Sequence, residues 1–201
     1  MTRTERRMRD TRERIIQCAL VEFGEKGYAK ARIGDIAEKV DIGYGTFYQY
    51  FKSKKDLLMF VGEELCNRVG DYGYLKTHKG LKLWDRLYYG MLGILRFFLD
   101  NETAYHALCD AEAADKVFSS YRSRIHEKLF ERISRDIHYF IQKNYCREEV
   151  DETTIVAITC MIDGYGNRLM NTGEAEADTV ARSLTDIAYR ALFRDNIDDL
   201  I

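Results

Sequence analysis

Nine consecutive residues, Gly43 to Phe51 ("GYGTFYQYF"), gather three tyrosine hydroxyls, a threonine and a glutamine without a single charge, in a chain that is 32% charged. With Phe47 at zero on a helical wheel of about 100° per residue, Phe51 falls about 40° away and shares its face. Gly45 and Gln49 point the opposite way, Thr46 and Tyr48 flank them, and Tyr44 sits in the exposed first turn. A helix built only for solubility would carry Lys and Glu there. A glutamine amide can pair bidentately with an adenine edge, and hydroxyls suit phosphate oxygens. Gly45 costs about 1 kcal/mol of helix propensity relative to alanine, and close backbone approach to a partner is one reason to accept that cost. This is the chemistry of recognising a polar surface.

Bond-making chemistry is not signalled. The sequence holds no phosphate loop, no GxSxG and no HExxH, and its four histidines are scattered. Only His106, Cys109 and Asp110 share the i, i+3, i+4 spacing that could hold a metal, and the same trio reads as a partly buried cysteine beside surface polar groups. No catalytic residue, no metal and no cofactor is therefore expected. The alternatives are an enzyme, a metal-responsive regulator, and a constitutive DNA-binding protein without effector.

The elements that must position the polar face are short helices. Asp10 and Glu13 resemble a capping box. Ile16, Ala19, Leu20 and Phe23 follow at helical spacing, and Gly27 is a natural stop. Ile33, Ile36, Ala37 and Val40 make a two-turn amphipathic helix, and Asp41 to Gly43 form a tight turn. Two short helices joined by such a turn describe a helix-turn-helix. Ser53 is the expected cap of a further helix opening at Lys54, where a phosphate could bind.

Bulk properties agree with an all-α chain. Of 201 residues, 46% are apolar and none is proline. No apolar run reaches the roughly 20 residues needed to span a bilayer, so a cytoplasmic protein is expected. Five widely spaced cysteines without a CxxC suggest reduced, mostly buried thiols. Residues 1–58 hold 13 Lys/Arg against 9 Asp/Glu, and the remainder 18 against 24. A basic first part on an acidic body suits a polyanion partner. Arg3, Arg6, Arg7 and Arg9 are expected to form a mobile arm adding nonspecific attraction.

The segments "IIQCALVEFGEKGY", "IGDIAEKV", "GYGTFYQYF" and "KSKKDLL", between Arg12 and Leu58, resemble the DNA-binding domain of TetR-type transcriptional regulators. The resemblance covers about a quarter of the chain. It implies residues 8–68 as the DNA-binding domain, running into a fourth helix, and 69–201 as an effector-binding and dimerisation bundle, with about nine helices in all. It places Tyr44, Gly45 and Thr46 at the start of the recognition helix. It sets Tyr48, Tyr50 and Lys54 on phosphates, and Gln49 is the candidate base reader. Arg32 stands where the family usually has a capping threonine. It could meet phosphate by charge but cannot accept the cap hydrogen bond, so the start of the second helix is expected to be shifted or frayed. The implied partners are a double-stranded operator, a second copy of the chain, and a small organic effector.

In the body, a break is expected around residues 70–80. The helix from Leu83 to Leu99 is apolar almost all round and belongs in the middle of a bundle. Thr103 to Ala111 reads as a short helix. Residues 117–141 repeat apolar side chains every fourth position, making one long helix. Two last helices, joined by "NTG", carry the dimer interface in the family, with Ala157, Cys160 and Gly164 allowing close packing. The expected effector lining is Trp84, Tyr88, Met91, Leu92, Leu95, Tyr105, Phe118 and Tyr121, with Asn167 and Arg168 as polar ends. Core filling is the competing role for each aromatic.

Overall fold

The computed structural model describes residues 2–69, 80–172 and 177–194. Among them are nine helices: α1 (Arg3–Lys26), α2 (Ile33–Val40), α3 (Tyr44–Tyr50), α4 (Lys54–Val69), α5 (Leu83–Asp100), α6 (Glu102–Glu112), α7 (Val117–Gln142), α8 (Glu152–Thr172) and α9 (Ala177–Leu192). The all-α expectation holds. Of the expected break, Gly70 and Gly73 lie outside the described residues, as does Gly173 of the last link.

Helix α1 begins earlier than its sequence suggests. Thr2 caps it, accepting from Glu5 N at 3.2 Å, while Thr2 N donates to Glu5 Oε2 at 2.7 Å. This capping box replaces the one read at Asp10, and it makes the arginines at 3, 6, 7 and 9 helical instead of a mobile arm. Gly27 ends the helix at φ 79°, its N–H bonded to Phe23 O. Helix α2 begins at Ile33 without any side-chain cap from Arg32, so its start is neither shifted nor lost.

The chain divides into two compact units, Met1–Leu65 with Glu102–Ser123, and Cys66–Asn101 with Arg124–Ile201. In the first, α1 packs on α2 and α6, and α2 on α3. Ile15, Ala19 and Phe23 share its core with Ile36, Val40, Phe47, Phe51 and Leu57. Helix α6 buries Ala104, Ala107, Leu108 and Ala111. Past its end, the Tyr121 ring lies so close to Gly62 that an added Cβ would sit 2.6 Å from it, so only glycine fits.

In the second unit α5 packs against α8 and α9. Gly166 is covered by the buried Phe98 ring and likewise leaves no room for a Cβ. Ile125, Leu129, Ile133 and Ile137 of α7 are buried, but Ile141 is 37% exposed and Phe140 is buried in its stead. Each four-residue step turns about 40° round a helix, so a strict four-residue stripe drifts off the packed side. On α8, Ile155, Ile158, Thr159, Ile162 and Leu169 face inward. Cys66 and Cys146 are buried, Cys18 and Cys109 half-buried, and Cys160 exposed, none of them in a disulfide. No helix among the described residues is long and apolar enough to cross a membrane.

Glu22 is fully buried on α1 yet charged. Its carboxylate pairs with Lys26 Nζ at 2.8 Å and with Lys39 of α2, and Lys26 reaches on to Asp35 at 2.9 Å. These bonds tie α2 to α1 through one carboxylate. Lys26, then Lys39, hold Glu22 below the usual glutamate range despite its burial. As pH falls, the unfolded chain takes up this proton first, so the pair's stabilisation is present above the unfolded value of 4.5 and is lost as pH drops through the lower folded value. Urea unfolding midpoints should therefore fall on acidification below pH 4.5, and Glu22→Gln should flatten that fall. An unchanged acid dependence in Glu22→Gln would remove the clamp.

Candidate nucleic-acid interface

Helix α3 is oriented by what it buries. Phe47 and Phe51 are 0% and 2% exposed, with ring centroids 6.1 Å apart. Phe51 passes the contact on to Phe60 of α4 at 5.9 Å, and the Arg12 guanidinium of α1 lies over both rings, 4.0 Å from Phe60 and 5.3 Å from Phe51. With that face committed, Tyr44, Gly45, Tyr48 and Gln49 are exposed, and Thr46 and Tyr50 are half-buried. Asp41, in the left-handed region at φ 58°, closes α2 and turns the chain into α3.

The exposed face is ordered within itself. The Tyr44 and Tyr48 hydroxyls are 3.0 Å apart, their rings edge-on at 5.3 Å. That hydrogen bond raises the Tyr48 pKa above its ordinary value, and a phenol, protonated at neutral pH in any case, can donate to phosphate oxygens. A Cβ added to Gly45 would meet nothing within 4 Å, so no contact inside the protein requires glycine there. Gln49 is exposed and uncharged, as its proposed reading of a base edge needs.

Lys54 is placed differently from its sequence reading. Its ammonium donates to Tyr28 O at 2.6 Å, Ala29 O at 3.0 Å and Ala31 O at 3.1 Å, and it lies 4.6 Å from the centre of the Tyr28 ring. An ammonium has three donors, and here all three hold the loop that delivers the chain to Arg32 and α2. A phosphate would have to compete with those carbonyls. Burial lowers the Lys54 pKa. The Tyr28 N–H is held in turn by Asp110 at 2.5 Å, and Lys55 pairs with Asp115. Arg32, Lys30 and Lys52 are exposed cations of the same unit. Ser53 caps α4, accepting from Asp56 N at 3.0 Å. The three carbonyls gathered by Lys54 had no signal in the sequence, because a lysine's acceptors are set by tertiary geometry. Arg14, whose Nη2 donates to Val40 O at 2.6 Å, was missed for the same reason.

The metal-spaced trio is differently engaged: Asp110 accepts from Tyr28, and His106 Nε2 lies 3.8 Å from Glu102. Burial pushes the Cys109 thiol pKa up.

The expected effector residues do not form one group. A cavity of about 60 Å³ lies in the second unit, lined by Leu87, Met91, Ile94, Ile137, Phe140 and Ile158 among others, with Asp136 at its wall. Met91 is the only expected residue that lines it. Trp84 and Tyr88 stack at 5.5 Å and are pinned to α9, through Trp84 Nε1 to Asp186 Oδ1 at 2.8 Å and through the Tyr88 hydroxyl to Asp178. Leu92 and Leu95 are buried elsewhere on α5. Tyr105, Phe118 and Tyr121 belong to the first unit. Asn167 donates to Asp163 O at 2.9 Å, and Arg168 is exposed. A helix apolar all round does not reveal which of its sides faces a void, so sequence favoured the aromatics.

Residues 15–59 match the family described as bacterial regulatory proteins, tetR family. An HTH-type transcriptional regulator of Staphylococcus aureus is 28% identical over 127 residues, which cover 61% of this chain and 64% of that protein. The uncharacterized HTH-type transcriptional regulator YvdT of Bacillus subtilis is 38% identical over 75 residues, covering 37% and 39%. The chain thus spans less than two thirds of either relative. Among solved structures, the SmeT–triclosan complex superposes with a TM-score of 0.76 at 18% identity, covering 94% of both chains. The TetR family regulator PfmR of Thermus thermophilus superposes at 0.63 and 22%, covering 90% of this chain and 99% of that one. These two share the fold.

Gly45→Ala separates folding from recognition. With open space around the new methyl, it should stabilise the protein by up to about 1 kcal/mol, read as a higher Tm. It should also weaken DNA binding, because the methyl stands where the backbone would approach. A variant that binds DNA as tightly as its parent would show that Gly45 is not at the interface.

Proposed function

We propose that this chain, whose residues 15–59 match the tetR family of bacterial regulatory proteins, is a transcriptional regulator of that family that represses by binding a palindromic operator as a homodimer and is released by a small organic effector. The observation that carries the DNA part is the uncharged, hydrogen-bonding face of α3, turned outward by the burial of Phe47 and Phe51. In the proposed complex α3 enters the major groove, Gln49 reads a base edge, and Tyr44, Thr46, Tyr48, Tyr50 and Arg32 meet the flanking backbone. The relatives are named as transcriptional regulators, which supports the same reading over an enzyme.

The homodimer rests on α8 and α9. Val156, Ala157, Cys160 and Gly164 form an exposed strip of small and apolar residues along α8, and Ile187 of α9 is 55% exposed. A self-complementary two-fold interface would cover them and set two recognition helices about 34–36 Å apart, one turn of DNA. The effector rests on the cavity beside α5 and on the likeness in fold to a protein seen with triclosan. At about 60 Å³ the cavity is far below the 300–1,000 Å³ of a typical ligand site. An effector would therefore select a state in which it is wider, and must bind that state better than the DNA-bound one to shift anything. The same small volume favours a second reading, a DNA-binding protein that answers to no effector.

The test begins by sequencing the duplexes that the purified protein selects from a random pool. A palindrome is expected. Gln49→Ala should cost about 1–3 kcal/mol and relax one position per half-site; equal loss on every sequence would remove it from base reading. Cys160→Arg should give monomers by light scattering and lose affinity. A parent that is itself monomeric yet binds tightly would reject the dimer. Ile94→Phe, which fills the cavity, should abolish the response to compounds found by thermal shift and leave DNA affinity intact. If no compound shifts the parent, the effector-free reading stands.

A further inference from the structure

The first two turns of α1, Arg3 to Asp10, are exposed at every residue, and the helix is first held to its unit by Arg12, over Phe51 and Phe60, and by Arg14. From Arg3 to Arg14 no side chain is buried; the first is Ile15. The one large apolar residue there, Met8, is 52% exposed. About two turns of helix therefore stand without a packed face, although packing supplies most helical stability in proteins. Their charges do not help. Arginines in a first turn oppose the helix macrodipole, and of the nearby acids Glu5 is occupied by the capping box.

The arginines are nevertheless aligned. Taking Arg14 as reference, Arg3 and Arg7 fall within about 20° of it round the helix and Arg6 within about 80°. They lie about 17, 10 and 12 Å from it along the axis. All three are exposed. Arg14 itself donates to Val40 O, the last residue of α2 before the turn into α3. In a helix-turn-helix the first residues of the recognition helix enter the groove, so this turn stands at the groove's mouth. The row thus starts beside the groove-entering end of α3 and runs away from it on one face of α1. A single carboxylate interrupts it, Asp10, which is 3.7 Å from Arg9.

We propose that Arg3, Arg6 and Arg7 form a helical arm that binds the phosphate backbone of DNA flanking each half-site. A polyanion lying along this row would offset both the mutual repulsion of the arginines and their conflict with the helix dipole. The arm lengthens the contact and adds affinity without reading sequence. This rests on the DNA-binding reading above.

Replacing Arg3, Arg6 and Arg7 together by Gln keeps helix propensity nearly unchanged. It should leave the circular-dichroism spectrum and Tm as in the parent. Each phosphate contact contributes about 0.9 to the slope of log K against log salt. The Gln variant should therefore flatten that slope by at least about two units per dimer and lower affinity tenfold or more near physiological salt. Replacing the three by Lys should keep the slope. On duplexes trimmed to the selected half-sites, parent and Gln variant should converge; on duplexes with random flanks they should differ. If the parent binds DNA and the Gln variant matches its slope and affinity on the flanked duplex, the arm is overturned and the α3 interface stands. If the parent binds neither random nor selected duplex at low salt, the DNA-binding reading fails and the arm with it.

Discussion

The seating of Phe47 and Phe51 is the constraint on which the rest of the head depends. A seven-residue helix is too short to hold its own shape in water, so α3 exists because two rings four residues apart are taken into the core. That spacing also fixes the roll of the helix. Once the rings point inward, Gly45 and Gln49 can only point outward, and Tyr44 and Tyr48 are placed side by side to share a hydrogen bond. The same burial that stabilises the helix sets its chemical face.

Charged groups then fix the neighbours of α3 instead of reaching outward. Glu22 draws Lys39 of α2 onto α1. Arg12 lies over the rings of Phe51 and Phe60, and Arg14 takes the last carbonyl of α2. Lys54 gathers three carbonyls of the α1–α2 loop. A loop with three carbonyls turned to one point would otherwise leave acceptors unmet, and α2, which has no side-chain cap, needs its entry held from outside. An excess of cations in the head therefore overstates the number available to a partner. Position, not count, decides which are free to act.

Aspartates at the end of α6 and beyond belong to the same scheme. Asp110 holds the Tyr28 N–H, and Asp115 pairs with Lys55, which keeps the Asp115 carboxyl below the usual range. Residues 102–123 are thus tied to the loop and to the helix that flank the candidate interface. In the second unit, aromatic side chains act as fasteners. Trp84 and Tyr88 stack on each other and bond to acids of α9, while the void is lined mostly by aliphatic residues, from Leu87 to Ile94 on α5 and on α7, α8 and α9.

Sequence alone determined the helical class, the helix-turn-helix and the outward face of α3, because each is local. Phe47 and Phe51, the turn at Asp41 to Gly43 and the cap at Ser53 act within a few residues, and periodicity reports them. It did not determine where α1 begins, since the Thr2–Glu5 box and the one read at Asp10 use equally ordinary residues. It sent Lys54 outward, because a lysine at a helix start looks exposed until the carbonyls of a distant loop converge on it. It chose aromatics for the effector site, because residue type says nothing of which side of an all-apolar helix meets a gap. The packing of residues 102–123 with the head, and the walls of the cavity, arise from elements far apart in the chain. Only the tertiary structure brings them together, since nothing in the spacing of either partner encodes the other.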